Sequence, residues 1–78
     1  MIMEKDEFEI LAKRVRSKLL ALARDFALPS GIEADDVVQE ALVSLWELAE
    51  SGYPIKDAEA MAVRITKNIC VGHYRKHA

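Results

Sequence analysis

The sequence predicts an all-α fold, a compact bundle of three helices, and three observations lead there. Apolar residues recur at steps of three and four through three long segments. The segments are parted by two short breaks that hold both prolines and two of the three glycines. Nothing alternates with the two-residue period of a strand, and no repeat, linker or low-complexity tract interrupts the pattern. At 78 residues the chain suits one domain spanning 1–78, and its 51% apolar content is enough to pack a core.

The first helix is expected over about 4–28. Phe8, Leu11, Ala12, Val15, Leu19, Leu22, Ala23 and Phe26 fall on one stripe of it. Leu28-Pro29-Ser30-Gly31 ends it, because proline lacks an amide donor and disfavours helix in the preceding residue. The second helix is expected over about 33–51, where Glu33, Asp35 and Asp36 suit the positive end of a helix dipole. Ser51-Gly52-Tyr53-Pro54 stops it. The third runs over about 57–76 with Asp57 as N-cap and Ala58, Met61, Ala62, Ile65 and Ile69 on its stripe. Leu19, Leu45 and Ile65 sit at the centres of their stripes and are expected to be nearly inaccessible to solvent.

Several classes are disfavoured at once. The lone Cys70 rules out an internal disulfide and fits a reducing cytoplasm. The acidic start, with Glu4, Asp6, Glu7 and Glu9, is unlike a signal peptide, and no apolar run approaches the ~20 residues of a membrane span. A soluble, cytoplasmic protein is expected. Ser17, Ser30, Ser44 and Ser51 have no base at useful spacing, and no glycine-rich phosphate loop exists, so the chain is read as a binding domain and not an enzyme, with no cofactor. Cys70, His73 and His77 recur at helical spacing, but three ligands without nearby acids make a poor metal cage; a free thiol beside two surface histidines is the reading taken, with no metal site.

Charge is distributed unevenly. Residues 1–28 carry six Lys/Arg against five Asp/Glu, residues 29–55 carry six acids and no Lys or Arg, and residues 56–78 carry five Lys/Arg against two acids. An acidic middle and a basic end suit two different partners. They equally suit three segments that neutralise one another inside a bundle.

At about 100° per residue, Ala34, Val37, Val38, Ala41, Leu45 and Leu48 form the core side of the second helix. Asp36, Gln39, Glu40, Val43, Trp46, Glu47 and Glu50 fall opposite. A solvated face should be uniformly polar, yet this one holds Val43 and the only tryptophan, ringed by Gln and Glu in the manner of an interface hot spot. The other reading of Trp46, at the edge of that arc, has it packed under the first helix or the loop.

These residues also carry a resemblance. Asp36-Val37-Val38-Gln39-Glu40-Ala41-Leu42-Val43-Ser44-Leu45-Trp46 resembles the D-x-x-Q-E…L-W signature in the second conserved region of bacterial RNA polymerase sigma factors, most of all those of extracytoplasmic-function (ECF) type. Arg64-Ile65-Thr66-Lys67-Asn68-Ile69 is similar to that family's R-I-A-R-N-L, and Tyr74-Arg75-Lys76 to its basic ending. The resemblance implies a transcription-initiation domain whose second helix docks on the clamp coiled coil of the largest subunit of core RNA polymerase. Asp36, Gln39, Glu40 and Trp46 would lie on that surface, and Val43 joins them from the helical wheel.

It further implies that the following loop and third helix engage the promoter −10 element as single-stranded DNA, through Arg64, Lys67, Asn68 and Arg75. Tyr53 in the loop suits base stacking and Lys56 suits a phosphate contact. The family commonly has Trp where this chain has Met61, and Asp where it has Gly72; Gly72 is expected to fray or end the last helix. The family's −35-binding domain is absent from these 78 residues. Val63, Lys67, Cys70 and Tyr74 share what reads as the outer side of the third helix: a base-stacking or anti-sigma surface, or a face covered by further chain. A second function class stays open from the residues themselves, an all-α protein-interaction module that binds no nucleic acid.

Overall fold

The steps of three and four that run through the sequence do become helices. A computed structural model describes residues 4–26 and 31–76, and its elements are α1 (Lys5–Arg24), α2 (Ala34–Glu50) and α3 (Ala58–Lys76). Each helix packs on both others, so the core lies along a central axis in a molecule 37 × 21 × 17 Å in extent. Leu11, Val15, Leu19 and Ala23 from α1 meet Val37, Val38, Ala41, Leu42, Leu45 and Ala49 from α2. Among the described residues no buried side-chain nitrogen or oxygen lacks a hydrogen-bond partner.

α1 ends earlier than expected. Asp25 is its C-cap, and the amides of Asp25 and Phe26 donate to the carbonyls of Leu22 and Ala23, each at 3.2 Å. These three-residue bonds tighten the last turn and close the helix before the proline is reached. Phe26 then packs on a second apolar cluster, of Ala23, Val37 and Cys70. Leu28, Pro29 and Ser30, the expected break, lie outside the described residues.

α2 is framed at both ends. Glu33 is its N-cap, and the Glu33 amide donates to Asp36 Oδ2 at 3.4 Å. At the other end the Tyr53 amide donates to the Leu48 carbonyl at 3.1 Å and the Gly52 amide to the Ala49 carbonyl at 3.2 Å. That pair of crossed bonds is a Schellman motif, and it requires the left-handed backbone that Gly52 supplies with φ of 82°. Ser51 Oγ adds a bond to the Leu48 carbonyl at 2.8 Å. Pro54 follows, and Ile55, 5% exposed, plugs the α2–α3 loop into the core. Asp57 caps α3 as expected, its Oδ1 accepting from the Ala60 amide at 3.1 Å.

The buried line of α3 departs from the expected one. Ala62, Thr66 and Cys70 are fully buried, while Met61, Ile65 and Ile69 are only half-buried. The centre of the stripe is therefore turned by about 80° from the expected position. The reason is size: small side chains on the central line let α3 approach its neighbours closely, with the longer chains closing the flanks. Thr66 can sit there because its hydroxyl donates to the Ala62 carbonyl at 2.8 Å. Nor does α3 stop at Gly72; it continues to Lys76.

Two predictions follow from this packing. Truncating Leu19 or Leu45 to alanine should cost ~2–5 kcal/mol in urea unfolding, and Ile65→Ala distinctly less; an equal cost at Ile65 would contradict the rotated stripe. Gly72 and Gly52 both have open space around the position of an added Cβ. Gly72→Ala should nonetheless stabilise by about 1 kcal/mol, whereas Gly52→Ala should destabilise by about 1–2 kcal/mol through its positive φ. The same sign for both would be inconsistent with these backbone conformations.

Candidate functional site

The outer face of α2 is built by the core on its other side. With Val38, Ala41 and Leu45 fully buried, Asp36, Gln39, Glu40 and Val43 project outward, and Val43 is 47% exposed. Asp36 also has a local task, since its carboxylate accepts the Glu33 amide at the helix start. Glu40 faces α3, where His73 Nε2 lies 3.8 Å from its Oε2.

Trp46 packs against the first helix, as one of its two readings had it, and is not fully covered there. Its ring is half-buried and packs on Phe8 of α1, with centroids 5.0 Å apart and planes inclined at 59°. That tilted geometry is a favourable one for an aromatic pair. The remainder of the indole lines an open groove of about 460 Å³ with Lys5, Phe8, Glu9 and Val43. The sequence reading had Phe8 on the core stripe but gave it no part in this face; the pairing crosses between helices, and helical periodicity carries no signal for it.

A second groove, of about 510 Å³, lies where the α2–α3 loop meets α3. It brings together three of the expected DNA-contacting residues, Tyr53, Lys56 and Arg64, with Pro54, Asp57, Ala60 and Met61. Tyr53 is 47% exposed, which leaves part of its side chain open at the groove. Asp57 places an acid among these bases, but its carboxylate is engaged by the Ala60 amide. Lys67, Asn68 and Arg75 do not line the groove; they are exposed further along α3. Between Tyr53 and Lys56, which are both exposed, Ile55 is buried in the core.

The charged segments do neutralise one another in part. Arg16 pairs with Asp35 at 3.3 Å and Lys18 with Glu59 at 3.1 Å, and each is a surface pair worth under ~1 kcal/mol. Lys56, Arg64, Lys67 and Arg75 have no ion pair among the described residues, nor do Glu47 and Glu50. The acidic and basic faces therefore survive folding.

Cys70 is a free thiol, but it corrects the expectation that it lies on the outer side of α3: it is fully buried against Ala23 and Val37, and burial raises its thiol pKa above the ordinary value. Val63 likewise packs against the core cluster and is half-buried. Of that proposed outer side, Lys67 and Tyr74 are exposed, Tyr74 by 53%. His77 lies outside the described residues.

The family model for sigma-70 region 2 matches residues 11–78. The chain belongs to that family. This sigma-70 region 2 domain is accordingly a non-enzymatic transcription-initiation domain, with core RNA polymerase and promoter DNA as the partners its family implies. No curated protein and no solved structure gives a significant match. Among the described residues no helix is long and apolar enough to cross a membrane.

The aromatic pair sets what removing the tryptophan should do. Trp46→Ala should lower stability by ~1–3 kcal/mol, since it removes half-buried area and the contact with Phe8; an unchanged melting temperature would show that the pair contributes nothing. The Cys70 thiol should react with a disulfide reagent only as the domain unfolds, at a rate that rises with urea. Fast labelling of the native domain would place the thiol at the surface. Because the folded state favours the neutral thiol, its contribution to stability is complete below the ordinary thiol pKa and declines as pH rises through it.

Proposed function

We propose that this domain docks on core RNA polymerase through the outer face of α2 and holds the −10 element as a single strand through the α2–α3 loop and α3, as an ECF-type sigma factor in the cytoplasm. The docking residues are Asp36, Gln39, Glu40, Val43 and Trp46, and their partner is the clamp coiled coil of the largest subunit. The DNA-contacting residues are Tyr53, Lys56, Arg64, Lys67, Asn68 and Arg75. The observation that carries the reading is the convergence of Tyr53, Lys56 and Arg64 on one groove that none of the acids of α2 lines.

The chemistry supports a division of labour within that groove. Lys56 and Arg64 offer phosphate contacts, which give affinity without sequence choice. Tyr53 offers a stacking surface for an unpaired base, and the Asn68 amide can hydrogen-bond its edge. Met61, where the family commonly has tryptophan, gives an apolar but flexible wall in place of a second rigid platform. Binding to DNA by the domain alone is therefore weak, and the polymerase supplies the rest of the strand's path. The exposed Lys67 and Tyr74 are the surface offered to an anti-sigma factor.

Fluorescence anisotropy with a −10-like strand, with and without core polymerase, tests this. The isolated chain should prefer a single strand to duplex, with a slope of log K against log salt of roughly −2 to −3, as for three or four neutralised phosphates. Arg64→Ala and Lys67→Ala should each flatten that slope by somewhat less than one unit, whereas Tyr53→Ala should lower affinity and leave the slope alone. No preference for the −10-like strand over a scrambled one in the polymerase complex would remove the DNA half. Failure of the chain to bind core polymerase would remove the other.

A further inference from the structure

We infer that the domain associates with itself, the basic outer arc of α1 on one copy docking on the acidic outer arc of α2 on a second. The contact needs no polymerase and no DNA, so it stands or falls apart from the function proposed above.

α1 carries its charges unevenly. From Ile10 to Arg24 it holds Lys13, Arg14, Arg16, Lys18 and Arg24 and no acid. Arg16 and Lys18 lie on its flanks and reach across to Asp35 of α2 and Glu59 of α3. Lys13, Arg14 and Arg24 are exposed, have no ion pair among the described residues, and share an arc of about 100° with Ile10, Ser17 and Ala21. Asp6 is the one acid on that arc, and it stands a turn before Ile10. Compensation of the helix dipole accounts for Arg24 in the last turn, but not for Lys13 and Arg14 in the middle of the helix.

A large apolar side chain sits inside this basic arc. Ile10 is 66% exposed, with Lys13 and Arg14 one turn away on either side of it. A phosphate backbone offers nothing to that side chain, whereas an acidic surface with an apolar centre matches both features. α2 is such a surface. Val43, 47% exposed, shares one outward arc with Asp36, Glu40, Glu47 and Glu50, and the helix has no Lys or Arg. Glu40 has His73 at 3.8 Å, while Glu47 and Glu50 have no ion pair among the described residues. Both arcs face solvent, so they meet only between copies. The net charge of −2 sets up little repulsion between them. Such a contact is heterologous, leaving one α1 arc and one α2 arc free in each pair, and a single helix pair makes it weak.

Sedimentation equilibrium on the whole 78-residue chain tests this, over concentrations from about 10 μM to 1 mM, where weak contacts form. The mean mass should rise with concentration. Association should weaken several-fold as salt is raised from about 0.1 to 1 M, because the screening length falls from about 10 to 3 Å. Arg14→Glu alone and Glu47→Lys alone should each weaken it about tenfold or more, with unfolding curves unchanged since both side chains are exposed. An equal mixture of the two variants should associate again, because the basic α1 of one meets the acidic α2 of the other. Their charge changes are equal and opposite, so the mixture keeps the mean charge of the unaltered chain. Ile10→Ser, which alters no charge, should weaken association about threefold or more. A monomer at every concentration overturns the inference, and so does a mixture that fails to recover. Unchanged association of Ile10→Ser overturns it too, by removing the apolar centre from the contact. If the chain stays monomeric while Arg14→Glu weakens its binding to a DNA strand, the α1 arc is a nucleic-acid surface and self-association is wrong.

Discussion

The close approach of α3 to the other helices along Ala62, Thr66 and Cys70 determines what every other surface of the domain can present. These three side chains are small, and all three are fully buried. A helix packed on such a line leaves no rotational freedom: exchanging the small line for the Met61–Ile65–Ile69 line would push the helices apart and open voids along the axis. Fixing the rotation of α3 also fixes where Arg64, Lys67, Asn68 and Arg75 point. The buried threonine tolerates this position only because its hydroxyl is satisfied within its own helix, one turn back.

The same logic governs the ends of the helices. The Schellman turn at Gly52 and the Asp57 cap lie five residues apart, and between them Ile55 is drawn into the core. The loop between α2 and α3 is therefore held at both ends and in the middle. Tyr53 and Lys56 owe their outward direction to those three constraints, so the groove they form with Arg64 is a rigid feature on a loop, which is where binding groups most often sit. A sequence change in Ile55 would disturb the groove without touching any residue that lines it.

Much of this was legible in the sequence, and the parts that were not share a cause. Periodicity identified three helices, the core centres at Leu19 and Leu45, and the outward side of α2, because a 3.6-residue repeat reports which residues of one helix share a side. The stop at Gly52 and the cap at Asp57 were legible for a different reason: both depend on local backbone chemistry. The centre of α3 was misplaced because hydropathy ranks Ile65 above Thr66 and Cys70, whereas close packing selects for size. Ile55 was passed over because it stands alone after a proline, outside any repeat. The Phe8–Trp46 pair was missed since it joins residues 38 positions apart, and no pattern within either helix encodes which face of one meets which face of the other.

A domain only 21 × 17 Å across its shorter dimensions carries an acidic face on α2 and a basic one along α3 without cancelling either. Screening makes this workable. At physiological ionic strength the Debye length is about 8 Å, so charges farther apart than that act largely independently in solution. Within that distance unlike groups do meet between helices, as Arg16 with Asp35, Lys18 with Glu59 and His73 with Glu40 show. Between α2 and α3, what reaches solvent unpaired is thus segregated: Glu47 and Glu50 on α2, Lys56 on the loop and Arg64, Lys67 and Arg75 on α3. The arrangement repels DNA from the α2 face and a basic protein surface from the α3 face, so each partner is steered away from the other's site as well as toward its own.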